Sequence, residues 1–526
     1  PQCLAFFDTP LVIKPSPGRL VGYLRMSFVS KSDRLKRMNV MPPAEVMVET
    51  PKRRGWKWLR IIGGLLVLVF GAGVAYYYYT LVASERDLRS TIARIDELDP
   101  DWTLAQIAAR QPAIPDEQNA ILPVMTARQF LPLPRTFPPL LEEIESLPPP
   151  EQLSQEQSES IAAELKRAAR LLEAARPIAD MPRGRHDTGL STDVVTTVLP
   201  HVDALTTLIV YMQFDVAQRA QANDPEGAFT SVRIMFNGAR ALGDEAFAVT
   251  QVTRMARASD ALRAAERALA QGQVSEATLA AFQRMVEEEE AYPGFLVAAR
   301  GERAILHVLM ERLESGEINN VRMRKMMGSL QKQAWQGTGI DRVDNILLGW
   351  PLSKLRDNHA AMLEFMSELV EAARLPLEDQ QDAMERLSAK HDKLPALARD
   401  LTTFRGRLAG LNVRVHTELR CAGAALATER FRLQHGRWPD SLAELVPAFL
   451  KKIPTDPYAR APLRFRKTEQ GLVIYALGPD LQDDGGKIFP KKMSGGGLVK
   501  GFDLGFRLWD VKQRRQPSSK ASTGQN

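Results

Sequence analysis

Cysteine is nearly absent from this chain of 526 residues, which contains only Cys3 and Cys421. Two cysteines exclude a disulfide framework and any zinc site built mainly from thiolates. The catalytic sequence motifs HExxH, GxSxG, GxGxxG and the phosphate-binding GxxxxGKS/T do not occur either. We therefore expect a protein that is not an enzyme.

Histidine is scarce and scattered along the chain. The seven histidines stand at positions 186, 201, 307, 359, 391, 416 and 435. No two of them are four residues apart, the spacing at which one helix face can hold a metal ion. Each is therefore expected to be a surface residue or a hydrogen-bonded core residue. An active site assembled from distant residues would leave no such spacing, so an enzyme of that kind stays an alternative.

Charge is unevenly distributed along the chain, which has a net charge of +6 and a pI of 9.2. Residues 1–60 carry 12 Lys and Arg against 4 Asp and Glu, and residues 487–526 carry 9 against 2. The basic residues thus lie at the two ends, and the segment between them is acidic. The high pI therefore does not indicate nucleic-acid binding, and we expect no nucleic-acid partner.

Residues 56–83 contain the longest apolar run. Arg60 is the single charged residue between Leu59 and Ala83, and roughly 20 apolar residues cross a bilayer. Tryptophans at one end and four consecutive tyrosines at the other suit the two membrane interfaces. We expect an uncleaved transmembrane helix in a lipid bilayer. The run is too long for a signal peptide and lacks the polar positions of a core helix.

Basic residues precede this apolar run, and mixed charge follows it. The positive-inside rule then places residues 1–55, a disordered basic tail, in the cytoplasm, and everything after residue 84 outside it. Glycines within the helix permit a homo-oligomer through close helix packing. These glycines are Gly63, Gly64, Gly71 and Gly73.

Residues 84–395 show the periodicity of successive amphipathic helices, which predicts a mainly α fold with a helical bundle or solenoid-like body. Ser154 and Gln157 match a capping box at one helix start, and Asp101 is the expected cap of a short helix over 103–110. Short Gly, Pro, Asn and Asp segments separate the helices. The longer predicted helices cover 192–222, 225–242, 244–271, 275–291, 294–314, 352–374 and 377–390.

Residues 396–512 are predicted to form a small α+β module after the helical body. A long helix over 397–435 ends at Gly436, a natural C-cap. A short helix follows, for which Ser441 and Glu444 form the expected capping box.

Strands are expected on both sides of Gln470 and Gly471, which suit a hairpin turn, and residues 502–510 supply a third strand. Residues 513–526 are polar and basic, with little to bury. This composition predicts a disordered tail.

The order of turns in this module resembles the globular C-terminal part of type II secretion major pseudopilins. In both, a long helix ends in a His-Gly-x-Trp-Pro type of turn, followed by a Pro-x-Asp-Pro turn and a small sheet. The resemblance covers about one-sixth of the chain. The matching residues are Phe431, His435, Gly436, Trp438, Pro439, Ile453, Pro454, Asp456, Pro457, Tyr475, Leu477, Gly478 and Asp480.

The chain departs from that family in its N-terminal half. No prepilin-peptidase site precedes the apolar run, and a long helical segment separates the run from the module. The fold is therefore expected to be shared while the role differs. The overall layout is also similar to uncharacterised bacterial single-pass membrane proteins, which implies location in the cytoplasmic (inner) membrane.

The resemblance implies a calcium site in the loop GPDLQDDGG. The matching positions are Asp480, Asp483 and Asp484, whose carboxylates are hard oxygen ligands of the kind calcium prefers. A tight turn is the alternative, in which aspartates bond neighbouring backbone amides and glycines supply positive φ. Both readings stay open on the sequence.

Together these features predict a membrane-anchored, extracytoplasmic interaction or assembly protein of the bacterial cell envelope that is not catalytic and has unknown envelope protein partners. One alternative is an envelope hydrolase whose site leaves no sequence motif. Another, resting on the resemblance, is an accessory component of a type II secretion-like system.

Overall fold

Helices make up most of the structure, a computed structural model that describes residues 54–132, 138–186, 199–318, 351–403, 405–488 and 501–519. The chain divides into two compact units, one ending at Gly71 and the other beginning at Ala72. The predicted cytoplasmic tail lies outside the described residues up to position 53. The start of the helix predicted over 192–222 also lies outside them, up to position 198.

The first helix, α1, runs from Arg54 to Leu98. Among the described residues it is the one helix long and apolar enough to cross a membrane. Large apolar side chains between Trp58 and Val82 are exposed, whereas Leu88 and Ile95 are buried. The helix therefore changes along its length from an apolar surface to an amphipathic one that packs within the second unit.

The second unit contains further helices. In chain order they are α2 (Leu104–Arg110), α3 (Ile121–Arg128), α4 (Pro138–Ser146), α5 (Gln155–Arg167), α6 (Ala169–Ala175), α7 (Pro200–Gln221), α8 (Pro225–Arg240), α9 (Ala248–Gln271), α10 (Glu276–Glu290), α11 (Gly294–Glu314), α12 (Leu352–Arg374), α13 (Leu377–His391), α14 (Ala396–Leu401) and α15 (Arg405–His435).

Local capping explains where two of these helices begin. The Ser154 side chain accepts from the Gln157 N–H at 3.2 Å, and the Gln157 side chain accepts from the Ser154 N–H at 3.0 Å. This capping box at the start of α5 confirms the prediction. The helix α2 is instead capped by Thr103, because Asp101 has a φ of 60° and lies in the preceding turn. The prediction that Asp101 caps α2 was therefore wrong.

Aromatic packing fills the core between α7, α8, α9 and α10. Phe229 and Phe236 of α8 both meet Phe282 of α10 in T-shaped contacts, with ring centroids 5.7 and 5.3 Å apart. A buried ion pair joins α9 to α10, since Arg254 donates twice to Glu289 at 2.8 Å. These contacts hold the helices that the terminal module later packs on.

The helix predicted over 397–435 is divided into α14 and α15. The Thr402 hydroxyl bonds back to Ala398 O at 2.5 Å and so competes with continued helix formation at this point. The expectation of one continuous helix was wrong here. Beyond the break, α15 buries a run of small residues around Cys421 and Ala425, which lets α9, α10 and the sheet approach closely.

Among the described residues, the module has a two-stranded ladder, β1 (Thr455–Asp456) with β2 (Ala461–Pro462), and a three-stranded antiparallel sheet. The sheet contains β3 (Arg464–Thr468), β4 (Gly471–Ala476) and β5 (Leu504–Trp509) in that order. The predicted hairpin and third strand are confirmed.

The capping box predicted at Ser441 is not formed. The Ser441 side chain makes no cap bond, and the segment Leu442–Leu445 is a 3-10 helix. Glu444 instead accepts from the Asp440 N–H at 2.7 Å and from Arg437 at 2.8 Å. The Glu444 carboxylate therefore bonds the backbone one residue before Ser441.

Residues 513–519 pack against the body, so the disordered tail predicted from residue 513 was wrong over this stretch. Arg514 forms a buried ion pair with Glu429 at 2.9 Å. Arg515 donates to two carbonyls in the last turn of α7, at 2.6 and 3.1 Å. Composition indicated disorder, but these arginines satisfy helix C-terminal carbonyls that need donors. Residues 520–526 lie outside the described residues.

Candidate functional site

The predicted calcium loop follows β4 and is built from backbone turns. Gly478, Leu481, Gly485 and Gly486 all have positive φ, between 56° and 80°. Asp480 Oδ1 accepts from the N–H two residues further on, at 3.3 Å, and Asp483 does the same at 2.9 Å. These two aspartates therefore make the turn contacts of the alternative reading.

Asp483 is further engaged by side chains of the sheet. The Tyr475 hydroxyl donates to Asp483 Oδ1 at 3.1 Å, and Arg464 Nε lies 3.3 Å from Oδ2. The Gly485 N–H, together with Tyr475 and Arg464, holds the pKa of Asp483 below its usual range. An arginine thus already supplies the positive charge beside this carboxylate.

Asp484 and Asp503 differ from these two aspartates in the hydrogen bonding of their carboxylate oxygens. Asp503, just before β5, is 1% exposed and accepts from the Gly486 N–H at 2.7 Å through Oδ2. Its Oδ1 and the Oδ2 of Asp484 are buried without a hydrogen-bond partner among the described residues. Burial raises the pKa of Asp503, and the charges of Asp483 and Asp484 raise it further.

Two buried carboxylate oxygens without donors fit the chemistry of a hard cation, which would replace the missing partners. The loop therefore offers ligand oxygens from Asp484 and Asp503, while Asp480 and Asp483 shape the turn around them. Asp503 was not among the predicted ligands. It lies in the segment assigned to the third strand, and no local pattern connects it to the loop.

Asp503 also faces a cavity of about 250 Å³ between α9, α15, β5 and the segment 141–149. Arginines and acidic residues share its lining with apolar side chains. Of the acids, Glu418 pairs with Arg414 at 2.9 Å, and Glu266 pairs with Arg507 at 2.8 Å.

Four histidines that are distant in sequence form two pairs in the structure. In the first pair, His307 Nδ1 lies 2.8 Å from His359 Nε2, and His359 Nδ1 lies 2.6 Å from Glu314 Oε1. Burial, assisted by His359 and Arg303, lowers the pKa of His307 to about 3. This network between α11 and α12 matches the prediction of hydrogen-bonded core histidines.

The second pair is His186 and His201, which meet Glu245. Sequence spacing missed this group because its members come from three separate segments. An alternation or i, i+4 pattern can only relate residues within one element.

Comparison of the chain with protein families, with curated proteins and with solved structures finds no match. The pseudopilin resemblance and the calcium site that it implies therefore stay predictions.

Proposed function

We propose that this chain is a membrane-anchored, extracytoplasmic interaction or assembly protein of the bacterial cell envelope and is not catalytic. The observation that carries the proposal is the exposed apolar surface of α1. Val67, Phe70 and Tyr79 each expose 71–75% of their surface, and no residue of the most apolar stretch of α1 is buried. Exposed apolar surface of this extent is unfavourable in water and suits the lipid core of a bilayer.

The charge pattern supports a single pass with the N-terminus in the cytoplasm. Lys57 and Arg60 lie at the start of the span, after three further basic residues, while residues 85–89 carry mixed charge. Under this topology the helical unit and the terminal module lie outside the cytoplasm. The cavity beside Asp503, whose lining includes the ion-paired Glu266 and Glu418, is the proposed binding place for an envelope partner.

Calcium is the proposed ligand of the terminal loop. Asp484 and Asp503 hold the ion through the two oxygens that lack partners, and Asp480 and Asp483 order the turn. When bound, calcium would supply positive charge to a buried acidic corner and so stabilise the loop. The glycines of α1 permit close helix packing, which supports a homo-oligomer.

Topology is tested by cysteine labelling in spheroplasts. Cys3 is replaced by alanine, and Cys421 serves as an internal negative control because it is fully buried. Arg89→Cys, at a side chain 78% exposed, should react with a membrane-impermeant maleimide in intact spheroplasts. Lys52→Cys should react only after detergent is added. The reverse labelling pattern would overturn the proposed location.

Calcium binding is tested with the full chain in detergent micelles. Calcium should raise the melting temperature, by mass action on the folded state, and magnesium should raise it less. Asp484→Asn with Asp503→Asn should abolish the response, whereas Asp480→Asn should leave most of it. Because the pKa of Asp503 is raised, the response should grow as pH rises through that pKa. A melting temperature of the wild type that does not change with calcium would refute the calcium site and support the tight-turn alternative.

A further inference from the structure

Three side chains that can bind a metal ion meet near the start of α7. His201 lies in the first turn of α7, and Glu245 lies in the turn between α8 and α9. His186 lies six residues after the 3-10 helix Arg176–Asp180. One ligand atom from each lies within 4.8 Å of the others. The group is therefore assembled by tertiary packing.

Two glycines allow these segments to touch. A Cβ on Gly184 would lie 2.4 Å from Ala241 O. Gly243 has a φ of 58°, and a Cβ there would lie 2.5 Å from Gly184 O. Only a residue without a Cβ permits such contact. The close approach fixes the backbone near His186 against the turn that carries Glu245.

The same segment is held from its other side by Asn119. The Arg185 N–H donates to Asn119 Oδ1 at 2.9 Å, and Asn119 Nδ2 donates to Arg185 O at 3.0 Å. The Ala120 N–H donates to Arg183 O at 2.9 Å. The backbone leading to His186 is therefore positioned independently of any ion.

His201 and Glu245 form a buried polar pair. His201 Nε2 lies 2.9 Å from Glu245 Oε1 and 3.1 Å from Oε2. His201 is 0% exposed and Glu245 is 4% exposed. Thr250 Oγ1 donates to the carboxylate at 2.8 Å, and Gln251 Nε2 donates to Glu245 O at 3.0 Å. Contacts of this kind orient a metal-binding side chain and increase the affinity of the site for the metal ion.

The two imidazoles are stacked, with ring centroids 4.2 Å apart and 14° between their planes. Stacked rings direct their nitrogen lone pairs side by side, so an ion shared by both rings requires His186, the half-buried member, to turn about its side-chain bonds. His201 Nδ1 is buried with no hydrogen-bond partner in the part of the chain that the structure describes. That state is unfavourable, and it leaves the buried ring short of one polar partner.

We propose that His186, His201 and Glu245 form a binding site for a divalent transition-metal ion, with Zn²⁺ as the best match. Two imidazole nitrogens and one carboxylate oxygen are a zinc ligand set that leaves the fourth tetrahedral position open. Calcium and magnesium prefer sites made of oxygen. The site is therefore chemically distinct from the loop at Asp484 and Asp503. Metal binding at this site requires neutral imidazoles and an ionised carboxylate.

The test uses the full chain without an affinity tag, in detergent micelles, after metal has been removed with a chelator. Zn²⁺ is titrated in competition with a chromophoric chelator, and Co²⁺ is used as a spectroscopic probe. One equivalent of Zn²⁺ should bind, and Co²⁺ should give the visible absorption of a tetrahedral site with nitrogen and oxygen ligands. His186→Asn should weaken binding by roughly 100-fold or more, and Thr250→Val, which removes an outer contact, by roughly 10-fold.

Two controls separate this site from other histidines and from the calcium loop. His435→Asn changes an exposed histidine at the end of α15 and should leave the zinc affinity unchanged. Asp484→Asn with Asp503→Asn should also leave it unchanged. His186 is half-buried and lies outside the helices, so His186→Asn keeps the test valid even if His201→Asn fails to fold. Equal zinc affinity in the wild type and His186→Asn, or no binding at micromolar zinc, would overturn the proposal.

Discussion

Arg514 joins the end of the chain to three parts of the body, so its loss should be strongly destabilising. Its Nη2 donates to Glu429 Oε1 at 2.9 Å, its Nη1 to Gly272 O at 2.9 Å, and its Nε to Trp509 O at 3.1 Å. The side chains of Arg514 and Glu429 are 5% and 0% exposed. Arg514→Met keeps most of the apolar stem and removes all three donated bonds.

The size of the effect follows from the contacts that remain. Glu429 keeps two bonds from Arg432, at 2.7 and 2.9 Å, so its charge is still compensated. The substitution removes one charge-assisted hydrogen bond, worth about 1.5–3 kcal/mol, and two bonds to carbonyls, worth about 1 kcal/mol each. Breaking a buried ion pair costs about 3–5 kcal/mol. The lost hydrogen bonds add up to about 3.5–5 kcal/mol, in agreement with the ion-pair figure, so we expect the free energy of unfolding to fall by that amount.

The assay is urea unfolding of the full chain in detergent micelles, followed by tryptophan fluorescence and circular dichroism. Lys512→Met is the matched control, because Lys512 is exposed two residues earlier and should change stability by less than about 0.5 kcal/mol. A loss below about 1 kcal/mol for Arg514→Met would refute the packing of residues 513–519. It would instead support the disordered tail that the composition predicts.

Two further predictions use the same unfolding assay. Gly301→Ala would place a Cβ 1.8 Å from Ala246 O and should lower stability by about 1–3 kcal/mol. Gly410→Ala is the control, because Gly410 lies in open space on α15, and it should raise stability by about 0.5–1 kcal/mol. An unchanged stability of Gly301→Ala would contradict the close approach of Gly301 to Ala246. His307, with its pKa lowered to about 3, is neutral when folded but titrates near 6.5 when unfolded. The free energy of unfolding that the neutral His307 contributes is therefore complete above about pH 6.5. It is lost as pH falls toward 3, by up to about 1.4 kcal/mol per pH unit. His307→Gln should flatten this slope and His435→Gln should not, whereas equal slopes in both variants would contradict the burial of a neutral imidazole.

Helix positions could be predicted because their signals lie within the helix itself. The predicted ends of the helices Gly294–Glu314 and Leu352–Arg374 agree with the structure at both termini. Apolar periodicity defines the buried face, and Pro or Gly near the ends stops the chain. The break at Thr402 was missed because it depends on one side-chain bond to the backbone, which periodicity does not record.

The candidate sites were mostly missed because their contacts join residues that are far apart in the chain. His201 and Glu245 are 44 residues apart, and His307 and His359 are 52 apart. No periodic pattern spans such distances, since tertiary packing alone brings these elements together. In the loop, the run of aspartates was visible in the sequence. The arrangement of their oxygens also involves Asp503, which lies just before β5 and far from the loop in sequence.

The terminal module is joined to the helical body by ion pairs on several sides. Glu266 of α9 pairs with Arg507 of β5 at 2.8 Å, and Arg420 of α15 pairs with Glu290 of α10 at 2.7 Å. The resemblance to pseudopilins thus concerns a segment that is here built into a larger core. Asp503 lines the cavity beside α9 and also closes the aspartate loop. A cation bound at the proposed calcium site would therefore also change the charge of the cavity wall, because Asp503 belongs to both.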